Sequence, residues 1–123
     1  MRSFGDLEAA VMDRLWSRAE PATVREVLGD LRRVRELAYT TVMTVMGNLH
    51  RKGWLTRQCD GRAYRYRPAW TREEYSARLM RHALDGSGDN ARTLLRFVEQ
   101  MSPAEAEALL CALQERPQKG SWC

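Results

Sequence analysis

The sequence has 123 residues, 44% of them hydrophobic and 29% charged, with a formal net charge of +4. Such a length and balance suit a folded domain with a small appendage and argue against a disordered chain. No run approaches the ~18 apolar residues of a membrane span, and the opening MRSFGDLEAA lacks a signal peptide's apolar core, so a cytoplasmic protein without a membrane partner is expected.

Asp6 is placed to cap a first helix, DLEAAVMDRLWSR, in which Leu7, Val11 and Leu15 share a face. Pro21 breaks the chain. Thr23 and Glu26 then form a capping box for a second helix, with Val24, Val27, Leu28 and Leu31 as its apolar stripe. A third helix is expected in AYTTVMTVMGNLHRK, where Val42, Val45, Met46 and Leu49 recur at helical spacing and Gly53 follows as the C-terminal cap. Its composition is unusual. The opposite side carries Thr40, Thr41 and Thr44 rather than Glu or Lys, and Gly47 sits in the middle. Each β-branched residue costs a few tenths of a kcal/mol relative to Ala, and Gly costs ~1 kcal/mol.

After Gly53 the apolar period changes to two. LTRQC and RAYRYRP read as short strands joined by Asp60-Gly61, a strong hairpin signal. Arg62, Tyr64 and Tyr66 fall on one face of the returning strand, and Ala63, Arg65 and Arg67 on the other, until Pro68 ends it. The basic charge gathers here. Residues 1–70 hold 13 Lys and Arg against 8 Asp and Glu, whereas residues 71–123 hold 7 against 8. A basic first part and a near-neutral second suggest a polyanion-binding domain followed by something else.

Thr71 and Glu74 open a fourth helix to about Leu84, and DGSGDN interrupts it. A fifth helix is expected from about Ala91 to Met101. Ser102 and Glu105, with Pro103 at the first helical position, open a sixth that runs to about Arg116. Residues 117–123 read as a frayed tail. These helices have apolar stripes but too little mass for an independent core, and oligomerisation is a usual remedy. Residues 71–116 are therefore read as a dimerisation arm, with Leu79, Leu94, Leu95, Phe97, Val98, Met101, Leu109, Leu110 and Leu113 as its interface.

Three helices followed by a hairpin outline a winged helix-turn-helix over residues 1–70, in a chain that is mainly α. The third helix would enter the major groove of double-stranded DNA. Tyr39, Thr40, Thr41, Met43 and Thr44 would read base edges, since Thr offers a hydroxyl and a methyl while Glu would repel phosphates. Arg62, beside the hairpin turn, would reach a minor groove. Asn48, Arg51, Lys52, Arg57, Arg65 and Arg67 are assigned to phosphates. Tyr64 and Tyr66 are expected to brace the hairpin against the third helix.

In GDLEAAVMDRLW, TVREVL, LAYTTVMTVMGNLHRKGWL and DGRAYRYRP the chain resembles the penicillinase-repressor (BlaI/MecI) family of bacterial winged-helix repressors. The resemblance is strong over residues 4–69 and stays in register to about residue 116. It implies a homodimer on palindromic operators, repressing β-lactamase or related cell-wall stress genes. It also implies base reading by Thr40, Thr41 and Thr44 with Arg62 at the wing tip. Such repressors are commonly inactivated when a sensor metalloprotease pathway leads to cleavage in the dimerisation arm, at a bond corresponding here to Arg96–Phe97. Two departures stand out. Arg96 replaces the Asn of staphylococcal members, and Gly47-Asn48 stands where a bulkier residue and often Arg are usual.

Other readings have less to rest on. A copper-responsive branch of the superfamily carries Cys-x-Cys pairs near the C-terminus, but Cys111 and Cys123 lie well apart, and neither they nor Cys59 has a nearby partner for redox sensing. Cys111 falls on an apolar stripe and is expected in a core. His50 and His82 have no ligand motif around them, so no metal is expected. No Gly-rich phosphate loop, zinc motif or Ser/His/Asp order stands out, so neither an enzyme nor a cofactor is expected. A winged helix used for protein contact would have no reason to keep both a basic hairpin and a Thr face.

Overall fold

Capping chemistry sets where the helices begin. Thr23 Oγ1 accepts the Glu26 N–H at 3.1 Å while Glu26 Oε1 accepts the Thr23 N–H at 2.9 Å. The same reciprocal box joins Thr71 to Glu74 and Ser102 to Glu105. The first helix starts one residue earlier than Asp6 would cap it: Gly5 is the N-cap, and Glu8 reaches back to its N–H at 3.1 Å. The computed structural model describes residues 4–115. In chain order it contains α1 (Asp6–Ser17), α2 (Val24–Leu31), α3 (Tyr39–Arg51), β1 (Leu55–Asp60), β2 (Ala63–Pro68), α4 (Arg72–Asp85), α5 (Asn90–Glu99) and α6 (Pro103–Glu115). The expected tail, residues 117–123, lies outside the described residues, as do Arg116 and Cys123.

The strands pair antiparallel with Asp60 opposite Ala63, so the two-residue loop is Gly61-Arg62 rather than Asp60-Gly61. Gly61 has φ +66° and, among the described residues, no non-glycine residue has positive φ, the pattern of a turn with Gly at its first central position. Arg62 thus occupies the tip itself. Ala22 adds a short bridge to Tyr66 on the other edge of β2.

The backbone divides into two compact units after Met80. In the first, Val11, Met12 and Leu15 of α1, Val24, Val27, Leu28 and Leu31 of α2, and Val42, Met46 and Leu49 of α3 meet Leu55 and Tyr66 in one core. Val45, expected inside, is only partly buried against it. The division falls later than the expected boundary at residue 70 because the start of α4 packs on this core. Tyr75 stacks on Phe4 with ring centroids 4.2 Å apart and meets Trp54 in a T-shaped pair at 5.2 Å. Its hydroxyl accepts the Phe4 N–H at 3.0 Å. Trp16 Nε1 donates to the Trp70 carbonyl at 2.8 Å.

The second unit contains α5 and α6, and neither helix buries a single residue within the chain. Leu94, Leu95, Phe97, Val98, Leu109, Leu110 and Leu113 are all exposed, and Leu79 and Met101 are half-buried. Cys111, expected in a core, is also exposed, like every other residue of α6.

Candidate nucleic-acid interface

The face of α3 follows from its packing. With Val42, Met46 and Leu49 turned inward, Tyr39, Thr40, Thr41, Met43 and Thr44 come together on the exposed side of the first two turns. The N-cap is Ala38, with no side-chain cap. The first N–H groups of α3 therefore keep the donor polarity that suits an anion. Arg25 of α2 lies 5.4 Å over the Tyr39 ring and steadies it.

The hairpin sets its cations in different surroundings. Arg62 at the tip and Arg67 near the base are exposed and take part in no ion pair among the described residues. Arg57 lies 4.0 Å over the Tyr64 ring and donates to the Tyr66 hydroxyl at 3.4 Å. Tyr66 is buried and meets His50 of α3 edge-on at 6.5 Å, so it braces the hairpin as expected. Tyr64 does not. It stays exposed and serves as a platform for Arg57.

The other phosphate candidates have partners inside the chain. Arg51 donates to Asn48 Oδ1 at 2.7 Å. Lys52 pairs with Glu8 at 3.2 Å, tying the end of α3 to α1. Arg65 pairs with Asp60 at 2.6 Å and Glu26 at 3.1 Å. Its pKa is raised by the Asp60 hydrogen bond first and by Glu26 second. Glu26 is pushed below the ordinary carboxylate range, chiefly by the Thr23 N–H, with Arg65 helping against burial.

Sequence reasoning passed over the turn between α2 and α3. Arg33, Val34 and Arg35 are exposed there, Val34 by 82%, and neither arginine is in an ion pair among the described residues. The signal was available as the run RRVR just ahead of the third helix. Among the described residues no group of three His, Cys, Asp or Glu is placed to hold a metal ion, and no helix is long and apolar enough to cross a membrane.

Three helices, a hairpin against the third, and an uncharged exposed face on that helix define a winged-helix protein of the nucleic-acid-binding class. The profile of the penicillinase repressor family matches residues 4–115, and the chain belongs to that family. It is 50% identical over 114 residues to the transcriptional regulator BlaI of Mycobacterium tuberculosis (strain CDC 1551 / Oshkosh), an alignment covering 90% of this chain and 83% of the relative. Among solved structures it is similar to the DNA binding domain of the repressor BlaI, with TM-score 0.53 and 26% identity over 61% of this chain and 94% of that one. It is similar also to the monomeric form of Bacillus licheniformis BlaI in complex with the blaP half-operator, with TM-score 0.50 and 26% identity over 60% of this chain and 89% of that one.

Proposed function

We propose that this chain is a transcriptional repressor that binds palindromic operator DNA as a homodimer in the cytoplasm, each protomer reading one half-site. The observation that carries the proposal is the pairing of two features in one unit: the threonine face of α3 and an exposed arginine at the hairpin tip that is in no ion pair among the described residues. Thr40, Thr41 and Thr44 present short side chains that let α3 approach a major groove, with Tyr39 and Met43 flanking them. Arg62 reaches the adjacent minor groove, and Arg67, Arg57, Arg51, Lys52 and Asn48 line the phosphate side. The half-operator bound by the Bacillus licheniformis relative supports this reading. The regulated genes are β-lactamase or related cell-wall stress genes, and the protein carries out no catalysis of its own, in keeping with relatives that are transcriptional regulators.

The dimer forms through Leu79, Leu94, Leu95, Phe97, Val98, Met101, Leu109, Leu110 and Leu113. Release from DNA follows cleavage between Arg96 and Phe97, under a sensor metalloprotease pathway. Both residues lie within α5, and Arg96 is paired to Glu99 at 3.1 Å. The bond is therefore helical, and a protease reaches it only after local opening of α5. Gel-shift titration against the protein's own promoter region tests the central claim. Tight binding at moderate salt, competed poorly by unrelated duplex, is expected; no binding above the non-specific level would defeat it.

A further inference from the structure

Charge alone assigns Arg65 to the phosphate contacts, but its guanidinium is engaged within the chain. The residue after it, Tyr66, exchanges two backbone hydrogen bonds with Ala22: Ala22 N–H donates to the Tyr66 carbonyl at 3.0 Å and Tyr66 N–H to the Ala22 carbonyl at 2.8 Å. The base of β2 is thereby pinned to the segment ahead of α2. From this fixed base the guanidinium reaches both ways. Its Nη1 donates to Glu26 Oε1 at 3.1 Å and to the Pro21 carbonyl at 3.5 Å. Its Nε donates to Asp60 Oδ2 at 2.6 Å, on the last residue before the tip. Glu26 is itself immobilised, because the same Oε1 accepts the Thr23 N–H. An unbroken line of contacts therefore runs from the α2 capping box through Glu26 and Arg65 to Asp60, and Gly61 and Arg62 follow directly.

A guanidinium already shared by two carboxylates has little charge left to offer a phosphate. Its planar fork can meet both carboxylates and a carbonyl together, which a lysine ammonium on its flexible stem cannot do. We propose that Arg65 is a positioning residue: it locks the hairpin tip to α2 and so sets where Arg62 stands when the hairpin meets DNA. The part concerning Arg62 rests on the DNA-binding reading above; the lock itself does not.

The test uses the full chain and three variants, Arg65→Lys, Arg65→Gln and Glu26→Gln. The last keeps a residue competent for the capping box, so α2 still forms. Hydrogen exchange of the hairpin amides, residues 55–68, is followed in free protein. Affinity for one fixed A·T-rich duplex is measured across a salt series, with and without Arg62→Ala. All three variants are expected to speed hairpin exchange several-fold. Arg65→Lys should weaken the duplex complex several-fold with the salt slope unchanged, and that loss should vanish in the Arg62→Ala background. The proposal is overturned if Arg65→Lys exchanges like wild type. It is equally overturned if Arg65→Gln lowers the salt slope by about 0.9, the mark of one lost phosphate contact. A loss from Arg65→Lys that persists undiminished beside Arg62→Ala also overturns it. Failure of the wild type to bind any duplex would instead count against the DNA-binding reading, and the exchange data would still decide the lock.

Discussion

Thr44 lies one turn beyond Thr40 on α3, exposed, while Val42 and Met46 on either side of it in sequence are fully buried. Its side chain can donate to a base edge and place a methyl against a thymine methyl, so Thr44→Ala should relax base preference at a cost of ~1–3 kcal/mol against the best site. Competition between the preferred duplex and single-base variants measures this, and an unchanged preference would remove Thr44 from the reading set. Its exposure was legible because exposure on a helix follows its 3.6-residue period once the buried stripe is known. The fates of the cations were not. Lys52 meets Glu8 across 44 positions of sequence and Arg65 meets Glu26 across 39. No local pattern announces such pairs.

At the scale of the element, Gly47 is the unexplained feature of α3. A Cβ added there would meet nothing within 4 Å, so the fold itself does not require glycine. Gly47 lies on the same side as Thr40 and Thr44, which fits a close approach of a ligand's backbone to the helix. Gly47→Ala should therefore raise stability by about 0.4–1 kcal/mol while lowering DNA affinity; denaturant melts and gel shifts on the same preparation check both. An affinity equal to wild type would leave Gly47 merely tolerated. The join between α1 and α2 sets a pH dependence. Burial pushes the Asp30 carboxyl up, but the Arg18 and Arg14 guanidiniums at 3.1 and 3.6 Å outweigh it, and its pKa is lowered in the fold. A depressed carboxylate pKa adds stability that is complete above the unfolded-state value near pH 4 and is lost as pH falls through the folded value. The urea midpoint should thus drop on acidification below about pH 4, and Asp30→Asn should flatten that drop. A variant that keeps the wild-type slope would show that other carboxylates carry it.

The whole molecule presents a contrast between its two units. The first encloses its own core, while α5 and α6 expose every apolar side chain they carry. Full burial of a Leu, Val or Phe side chain stabilises by about 1.5–3 kcal/mol, and in the proposed homodimer a second copy of the chain would supply the cover. Val98→Asp should yield a monomer by sedimentation equilibrium, with the first unit still folded. Operator affinity should then fall by about 10²–10⁴-fold, the gain expected from joining two half-site modules. A variant that stays dimeric would move the interface elsewhere. Cleavage within α5 would act through the same loss.

Helix starts, the hairpin, the buried stripes and the threonine face could all be read from residue order, because each depends on capping pairs, turn chemistry or periodicity within a few positions. The exceptions were Gly5 rather than Asp6 at the start of α1, a hairpin loop one residue further along, Val45 only partly buried and Cys111 exposed. Tertiary structure decided which charges are available and where the first unit ends. Among the described residues Arg62 is in no ion pair at the tip while Arg65 is tied to two carboxylates, and Tyr75 draws the start of α4 onto the Phe4 and Trp54 rings. Those outcomes depend on which distant segments the core brings within a few ångströms of one another, and only the packed chain determines that.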